Sequence, residues 1–315
     1  MSEIDFSLRN YPLKYMVGEK TLLTRNFDLM CYFADPFRYT ADDDNFITPY
    51  EFYNCEQTSG FYLASIPISN EYERVFINGS YIRYLLQEYQ QYYIDLTTSY
   101  EEYLANFSSK TRSTLKRKVK KFAELSLGEI DWKTYKTPEE IKTFFTLARE
   151  VSQNTYQERL LNAGFPESDE FQADLIEKAK LGTVRGYLLF LEGKPVSYLY
   201  CPIENRKFIY SHLGYLPEMA QHSVGTVLQM LVLEDIFNNE DADYFDFTEG
   251  QSPHKSLFST HSTRCANFMF LKNSFNHKFW INLHIIFNTV FDGLIGLLDK
   301  MGIKAKIKKM IRRVA

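Results

Sequence analysis

The sequence has few cysteines and no closely spaced pair of them. The four cysteines of the 315 residues are Cys31, Cys55, Cys201 and Cys265, and they form no C-x-x-C motif. Disulfide scaffolds and structural zinc sites need numerous or closely spaced cysteines. The six histidines show no ligand spacing with carboxylates or cysteines either. We therefore expect reduced, mostly buried thiols, no metal site and a cytoplasmic protein.

The sequence also has no long uninterrupted apolar run. Its first residues include Glu3 and Asp5 and no apolar segment, unlike a signal peptide. The best candidate for a membrane span, residues 279–298, is interrupted by polar side chains at Asn282, His284, Asn288 and Asp292. The last three recur at i, i+4 and i+8, on one helical face. This spacing predicts an amphipathic helix that does not cross a membrane.

Basic charge is concentrated in two short segments. Residues 110–121 contain seven basic residues and no acid, and residues 304–315 contain six and no acid. The rest of the chain has 23 basic against 40 acidic residues, a formal charge of −17, although the whole chain is at −4. The first segment predicts a helix whose basic side is either solvated or attracts an anionic substrate or cofactor phosphates. Because no recognition motif accompanies it, we expect no sequence-specific nucleic-acid partner.

The second basic segment has helical periodicity. Apolar residues between Ile303 and Val314 share one face, and basic residues cover the rest. Such a helix packs on the N-terminal domain with a solvated basic side, or lies on an anionic membrane surface. The second alternative predicts a peripheral protein on the cytoplasmic face of the membrane, contacting it through residues 303–315.

Residues after 98 predict alternating helices and strands. Helices are predicted to start at about Ser99, Ser108, Thr137 and Ser168, and Ser108 and Thr137 are expected N-caps. Strands are predicted at 129–135, 186–191, 196–201 and 208–216, then a helix at 227–237 and a strand at 244–247. Residues 1–98 predict a mixed sheet with few helices. The fold class is therefore α/β, with an α+β mixed sheet.

Two polar turns flank the helix predicted at 227–237. The first runs from Gln221 to Thr226, and the second from Thr248 to Lys255. A turn that leads into a helix presents unpaired N–H groups and the positive end of the helix dipole, which suit an anionic or acyl ligand. The first turn is therefore a candidate binding site.

Several stretches resemble the GNAT acetyltransferases and, more narrowly, their FemAB-related branch with the CelD-like proteins associated with cellulose and exopolysaccharide synthesis. They lie between residues 90 and 272. The matching stretches are Tyr93-Ile94-Asp95-Leu96, Ser108-Ser109-Lys110-Thr111-Arg112, residues 151–157, Val184-Arg185-Gly186-Tyr187-Leu188-Leu189-Phe190, Gly214-Tyr215, Ser223-Val224-Gly225-Thr226 and Asp246-Phe247-Thr248-Glu249-Gly250 followed by Lys255.

The resemblance implies tandem GNAT-like units. Residues 1–126 would form a degenerate N-terminal unit, and residues 127–273 a complete, donor-binding C-terminal unit. Residues 274–315 would pack back on the N-terminal domain or on a membrane surface. The implied donor is acetyl-CoA or another acyl-CoA, lying beside the 208–216 strand. Its implied contacts are Leu213, Gly214, Tyr215, Gln221, His222, Ser223, Val224, Gly225 and Thr226.

The first turn departs from the family pattern. The usual pyrophosphate loop is Q/R-x-x-G-x-G/A, and in that register Val224 and Thr226 stand where glycines are expected, with Gly225 between them. An aminoacyl-tRNA donor, as used by some FemAB relatives, therefore stays open as an alternative.

Candidate catalytic residues follow from the needs of acyl transfer to an amine. The amine must be neutral, the developing oxyanion needs a donor and the leaving thiolate needs a proton. Glu249 is the predicted base, and His254 is a second candidate. Lys255 would position substrate or stabilise charge, and Tyr215 or Tyr210 would donate a proton to the leaving thiolate. Each has a plainer alternative as a turn acid, a surface histidine, a solvated lysine or a structural tyrosine.

The sequence thus predicts an N-acyltransferase that moves an acetyl or acyl group from acyl-CoA to an amine. The expected acceptor is a small or lipid-linked amine, such as an amino sugar or a precursor of a polysaccharide or the cell envelope. The alternatives are a FemAB-type aminoacyltransferase and a non-catalytic GNAT-like subunit of a polysaccharide synthesis system.

Overall fold

The computed structural model describes residues 6–17, 20–37, 58–155, 164–250 and 252–300. They form two compact units, residues 1–90 with 263–315 and residues 91–262. The fold is mixed α/β, as the sequence predicts. The strands are β1 Ser7–Val17, β2 Lys20–Phe33, β3 Gly60–Pro67, β4 Val75–Asn78, β5 Tyr81–Asp95, β6 Trp132–Tyr135, β7 Val184–Leu191, β8 Lys194–Glu204, β9 Lys207–Ile209, β10 His212–Tyr215, β11 Tyr244–Asp246 and β12 His261–Lys272. The helices are α1 Tyr100–Ala105, α2 Ser109–Leu125, α3 Pro138–Ser152, α4 Asp169–Lys180, α5 Val224–Asn239, α6 Pro253–Phe258 and α7 Phe275–Lys300, with a 3₁₀ helix at Pro217–His222.

The first unit packs α7 against a mixed sheet. β1 pairs antiparallel with β2, β2 parallel with β3, and β3 antiparallel with β12. α7 packs on β1 in this unit. The predicted basic helix of residues 303–315 lies outside the described residues.

The amphipathic character predicted for α7 is present, and its polar face turns toward the core at His284 and Asn288. His284 is buried, and its Nδ1 lies 2.7 Å from the Tyr84 hydroxyl. Asn288 is half-buried on the same side, whereas Ile286 and Val290 are exposed. The polar row faces the core because it finds hydrogen-bond partners there. None of the described helices is long and apolar enough to cross a membrane.

The second unit contains a sheet in the order β5-β11-β9-β8-β7-β6. The predicted helix starts are observed: Ser99, Ser108, Thr137 and Ser168 each accept a hydrogen bond from a backbone N–H in the first turn of their helix. α5 is apolar nearly all round and buried in the core of the unit.

The compact units differ from the predicted domain boundaries at 126/127 and 273/274. α1 and α2 lie in the second unit, because Tyr103, Leu115 and Phe122 join the core that α5 occupies. β12 lies in the first unit because most of its length pairs with β3. The polar residues after Leu125 end a helix and do not mark a domain boundary.

Candidate active site

A β-bulge opens the candidate site. The strand predicted over 208–216 is two strands, because Ser211 and His212 both lie opposite Tyr200: the Ser211 N–H donates to the Tyr200 carbonyl over 3.2 Å, and His212 is its register partner. Before the bulge, β9 runs parallel to β11, and the Tyr210 N–H donates to the Asp246 carbonyl at 2.8 Å. After it, β10 pairs with β8 while β11 has ended. A gap therefore opens beside β10.

The register of β10 determines which backbone groups face this gap. The Leu216 N–H donates to the Val196 carbonyl of β8 at 3.0 Å. Successive N–H groups of a strand point to opposite edges. The N–H groups of Leu213 and Tyr215 therefore point away from β8, toward the gap.

Two adjoining cavities occupy this region, with volumes of about 390 and 300 Å³. Both are lined by Tyr210, Leu213 and Lys255. The larger is also lined by Tyr215, Ala220, Ser223, Val224, Gly225, Thr226, Ser252 and His254. The smaller is also lined by Gly164, Tyr198, Ser211, His212 and Thr248. One cleft thus has two compartments that share three residues.

The N-terminus of α5 forms one wall of the larger cavity. Ser223 precedes the helix in the left-handed conformation, with φ 55°, and its side chain makes no capping hydrogen bond. The N–H groups of the first helical turn have no partner within the helix, and they carry the positive end of its dipole. Val224, Gly225 and Thr226 therefore present a backbone surface that favours an anion or a carbonyl oxygen.

Gly225 brings α5 close to β10. A Cβ on Gly225 would lie 3.2 Å from Leu213 Cδ2 and 3.3 Å from Tyr215 Cδ1. Gly214 has a different role, since a Cβ there would lie 2.3 Å from a ring carbon of Tyr198. Gly225 keeps the cavity wall open, and Gly214 allows the strand to pack.

The structure assembles six of the nine predicted donor contacts. Leu213, Tyr215 and Ser223 to Thr226 line the larger cavity. Gly214, Gln221 and His222 are not among the lining residues of either cavity. Gln221 and His222 belong to the 3₁₀ helix, which contributes Ala220 to the lining of the larger cavity.

Lys255 lies where the two cavities meet. Its Nζ donates to the Glu249 carbonyl at 2.6 Å, a contact that holds it against the turn after β11. Burial lowers the pKa of Lys255, and the charges of Asp246 and Glu249 oppose that shift. Lys255 is thus half-buried, with its Nζ hydrogen-bonded to the backbone.

His254 is also placed differently from an ordinary surface histidine. Its ring lies among Tyr210, Phe247 and Phe258, with a centroid distance of 4.8 Å to Phe258. Burial, together with the smaller effect of the positive charges of Lys118 and Lys255, lowers the pKa of His254 to about 4. Its buried Nε2 has no hydrogen-bond partner among the described residues. The imidazole is therefore neutral near pH 7.

Glu249, the predicted base, lies beside the cleft and not in it. Its side chain is exposed and it lines neither cavity. The turn around it is shaped by Asp246, whose Oδ1 accepts from Gln91 Nε2 at 2.5 Å and from the Thr248 N–H at 2.8 Å. Thr248 and Gly250 have positive φ angles of 60° and 96°, so the turn directs the Glu249 carbonyl, not its carboxylate, at Lys255.

Two tyrosines could supply a proton in the larger cavity. Tyr215, one of the two predicted donors, is 38% exposed. Tyr210 lines both cavities, and burial raises its pKa well above the ordinary value, so it stays protonated. Tyr210 is a hydrogen-bond donor that does not release its proton readily.

Sequence reasoning missed Tyr198, Ser252 and the part played by Lys118. Tyr198 lies on β8 within a buried run, and Ser252 caps α6 by accepting from the Lys255 N–H at 3.2 Å. Neither position carries a distinguishing pattern. The basic segment did contain Lys118, but only the packing of α2 on α5 and the 3₁₀ helix brings it near the cleft.

The described residues contain no group of three His, Cys, Asp or Glu that could hold a metal ion. Cys31, Cys201 and Cys265 are buried, and Cys55 lies outside the described residues. The chemistry of the described cleft rests on backbone N–H groups, a lysine, a histidine and tyrosines.

Similar solved structures include FemX, which is 11% identical, with 84% of this chain and 87% of that chain covered and a TM-score of 0.48. The C-terminal domain of a putative lysylphosphatidylglycerol synthetase from Agrobacterium fabrum is 11% identical, with 73% and 72% covered and a TM-score of 0.46. PaiA N-acetyltransferase from Thermoplasma acidophilum, in complex with coenzyme A, is 18% identical, with 34% and 72% covered and a TM-score of 0.24. No functional argument rests on similarities this low. No curated protein matches the chain.

A family model gives the more specific result. Residues 109–256 match the family described as "Acetyltransferase (GNAT) domain". The match runs from the start of α2 to α6, so it contains the bulged strand, α5 and the turn that carries Lys255. This part of the chain is therefore similar to GNAT acetyltransferase domains, and the similarity supports an acyltransferase enzyme.

Proposed function

We propose that the protein is an N-acyltransferase that moves an acetyl or other short acyl group from acyl-CoA to an amine. The observation that carries the proposal is the gap beside β10, with the unpaired first turn of α5 on one side and the N–H groups of Leu213 and Tyr215 on the other. This is a site for a carbonyl group and an anion within one cavity of about 390 Å³.

In this proposal the larger cavity takes the donor. Its phosphates would lie at the first turn of α5, where Val224, Gly225 and Thr226 present their N–H groups. The amide-rich arm of the donor suits the exposed edge of β10, because an extended chain can hydrogen-bond to a free strand edge. Val224 and Thr226 stand where the usual pattern has glycines, which changes the side chains at these two positions. The backbone N–H groups that would bind the phosphates are the same.

The smaller cavity takes the acceptor amine, and Lys255 lies between the two. A positive charge next to the acceptor disfavours its ammonium form and lowers the pKa of the amine. The amine would therefore lose its proton to solvent on binding. The neutral nitrogen then attacks the thioester carbonyl, the C–N bond forms, and the C–S bond breaks.

The chain's own groups would stabilise the charge that develops. An N–H of β10 donates to the carbonyl oxygen as it becomes negative, a contact worth on the order of 3 kcal/mol in other enzymes. Tyr210 or Tyr215 donates a hydrogen bond to the departing sulfur, whose proton comes from the amine by way of solvent. His254, with a pKa of about 4, is too weakly basic to take a proton from an ammonium group.

An acceptor among amino sugars or polysaccharide and cell-envelope precursors is inferred from the sequence resemblance to FemAB-related and CelD-like proteins. Aminoacyl-tRNA is the alternative donor, and the basic helix α2 beside the cleft is the feature that favours it. The non-catalytic alternative has no observation in its favour.

The test is an assay of thiol release from acetyl-CoA in the presence of amino sugars, beside an aminoacyl-transfer assay with charged tRNA. We expect release of free CoA and an N-acetylated product with at least one amine. Transfer from aminoacyl-tRNA without any CoA release would replace the proposed donor, and activity with neither would overturn the proposal.

A further inference from the structure

The outward face of α7 is apolar over most of its length. Large side chains on this face are about half exposed: Phe279 51%, Ile286 60%, Val290 51%, Leu294 47% and Leu297 55%. Their spacing of seven, four, four and three residues places them along one side of the helix. At about 1.5 Å per residue the stripe is about 27 Å long. We call these five residues the α7 stripe.

The opposite face of α7 holds the helix in this orientation. His284 bonds to Tyr84 through Nδ1 at 2.7 Å, and its Nε2 lies 3.1 Å from the Lys14 carbonyl. Ile281 is 1% exposed in the core of the same unit. Turning the α7 stripe inward would break these contacts and expose buried polar groups. The stripe is therefore fixed toward the outside.

An exposed apolar stripe of this size is more typical of a docking surface than of ordinary protein surface. The residues that follow α7 indicate the partner. Residues 304–315 contain six basic residues and no acid, whereas the remainder of the chain has a formal charge of −10. Apolar side chains next to concentrated positive charge complement a surface with an anionic outer layer and an apolar interior.

We propose that the α7 stripe docks on an anionic lipid membrane surface, with the basic segment 304–315 supplying the electrostatic attraction. In this arrangement α7 lies in the plane of the membrane and inserts its outward side chains among the lipids, without crossing. This inference is independent of the acyl-transfer reaction.

A second copy of the chain fits the observations less well. Paired helices select each other through charges that flank the apolar seam. The described flanks of the α7 stripe include Asn282 and Thr289, which are uncharged and exposed. A parallel second copy would also bring two basic segments together. Dimerisation is therefore the competing outcome of the test.

The test is flotation of the full chain with vesicles of phosphatidylcholine containing about one-third phosphatidylglycerol, beside vesicles of phosphatidylcholine alone. We expect binding to the anionic vesicles that is at least about tenfold tighter and that weakens as salt is raised. The triple variant Ile286→Gln, Val290→Gln and Leu294→Gln should bind at least about tenfold more weakly.

The matched control is Leu8→Gln, Leu22→Gln and Leu23→Gln, three exposed leucines on β1 and β2 of the same unit. It should bind vesicles as the wild type does, and both variants should keep the wild-type melting temperature. Equal binding by the stripe variant and the wild type would overturn the proposal. So would a wild-type dimer that dissociates in the stripe variant while vesicles bind neither.

Insertion of the α7 stripe into the lipid can be measured by fluorescence quenching at the position of Phe279. A tryptophan in its place should be quenched by brominated lipids in anionic vesicles, whereas Leu22→Trp should not. Equal quenching at both positions, or at neither, would contradict docking through α7.

Discussion

At the scale of single residues, the fold changes the acid–base chemistry of His254 at the candidate site. Its ring is packed among three aromatic rings and lies near two lysines, which together hold its pKa at about 4. The unfolded chain, with an ordinary pKa of 6.5, takes up a proton that the folded protein excludes. Its stabilising contribution is therefore complete above pH 6.5 and is lost as the pH falls toward 4.

This linkage predicts a change in acid stability. A shift of this size corresponds to on the order of 3 kcal/mol between the two limits. We expect His254→Phe to lose less stability than the wild type between pH 7 and pH 4.5, measured by denaturant unfolding at each pH. His261→Asn, at an exposed histidine, is the control and should follow the wild type. Parallel curves for His254→Phe and wild type would show that His254 is not held neutral.

Substitution of Glu249 tests whether the reaction needs a protein base in the turn after β11. Its carboxylate is exposed and outside the cavity lining, and solvent can take the proton of the amine. We expect Glu249→Gln to keep kcat/KM within about threefold of the wild type in the thiol-release assay. A loss of 100-fold or more, with donor affinity unchanged, would restore Glu249 as the general base.

At the scale of elements, helix starts were predictable because each depends on a few neighbouring residues. The side chain of Ser99, Ser108, Thr137 or Ser168 accepts from an N–H a few residues on, which the local sequence determines. The bulge at Ser211 and His212 was not predictable, since it depends on where β8 and β11 lie in space. Which face of α7 packs on the core was not predictable for the same reason: Tyr84, the partner of His284, is 200 residues away.

The basic side of α2 is expected to act on the donor. Lys118 is the residue of this helix whose charge reaches His254 at the cleft. We expect Lys118→Gln to weaken acyl-CoA binding several-fold at low salt, and the difference to shrink as salt screens the charge. Lys110→Gln, at the exposed start of α2, is the matched control. Calorimetric titration of each variant at two salt concentrations measures these affinities. Equal affinities for Lys118→Gln and the wild type would show that the basic side of α2 is solvated and does not act on the donor.

At the scale of the molecule, the fold class and the order of elements in the second unit followed from the sequence, because each element has its own period or cap. The limits of the compact units did not. β12 is distant in sequence from β3 and pairs with it nevertheless, and such pairing has no signal in a single sequence. The site was predicted in part: backbone donors at the start of α5 follow from helix geometry, whereas the exclusion of the Glu249 carboxylate required the shape of its turn.

The central claim is that the gap between β10 and the start of α5 binds an acyl-CoA donor, and calorimetric titration of acetyl-CoA tests it most directly. We expect one site per chain in the wild type and a rise in melting temperature at saturation. Gly225→Val should weaken binding at least about tenfold, because its side chain would crowd Leu213 and Tyr215. Gly293→Ala, where an added Cβ meets nothing, should bind as the wild type does. No heat and no change in melting temperature at millimolar acetyl-CoA, or equal binding by Gly225→Val and the wild type, would contradict the account.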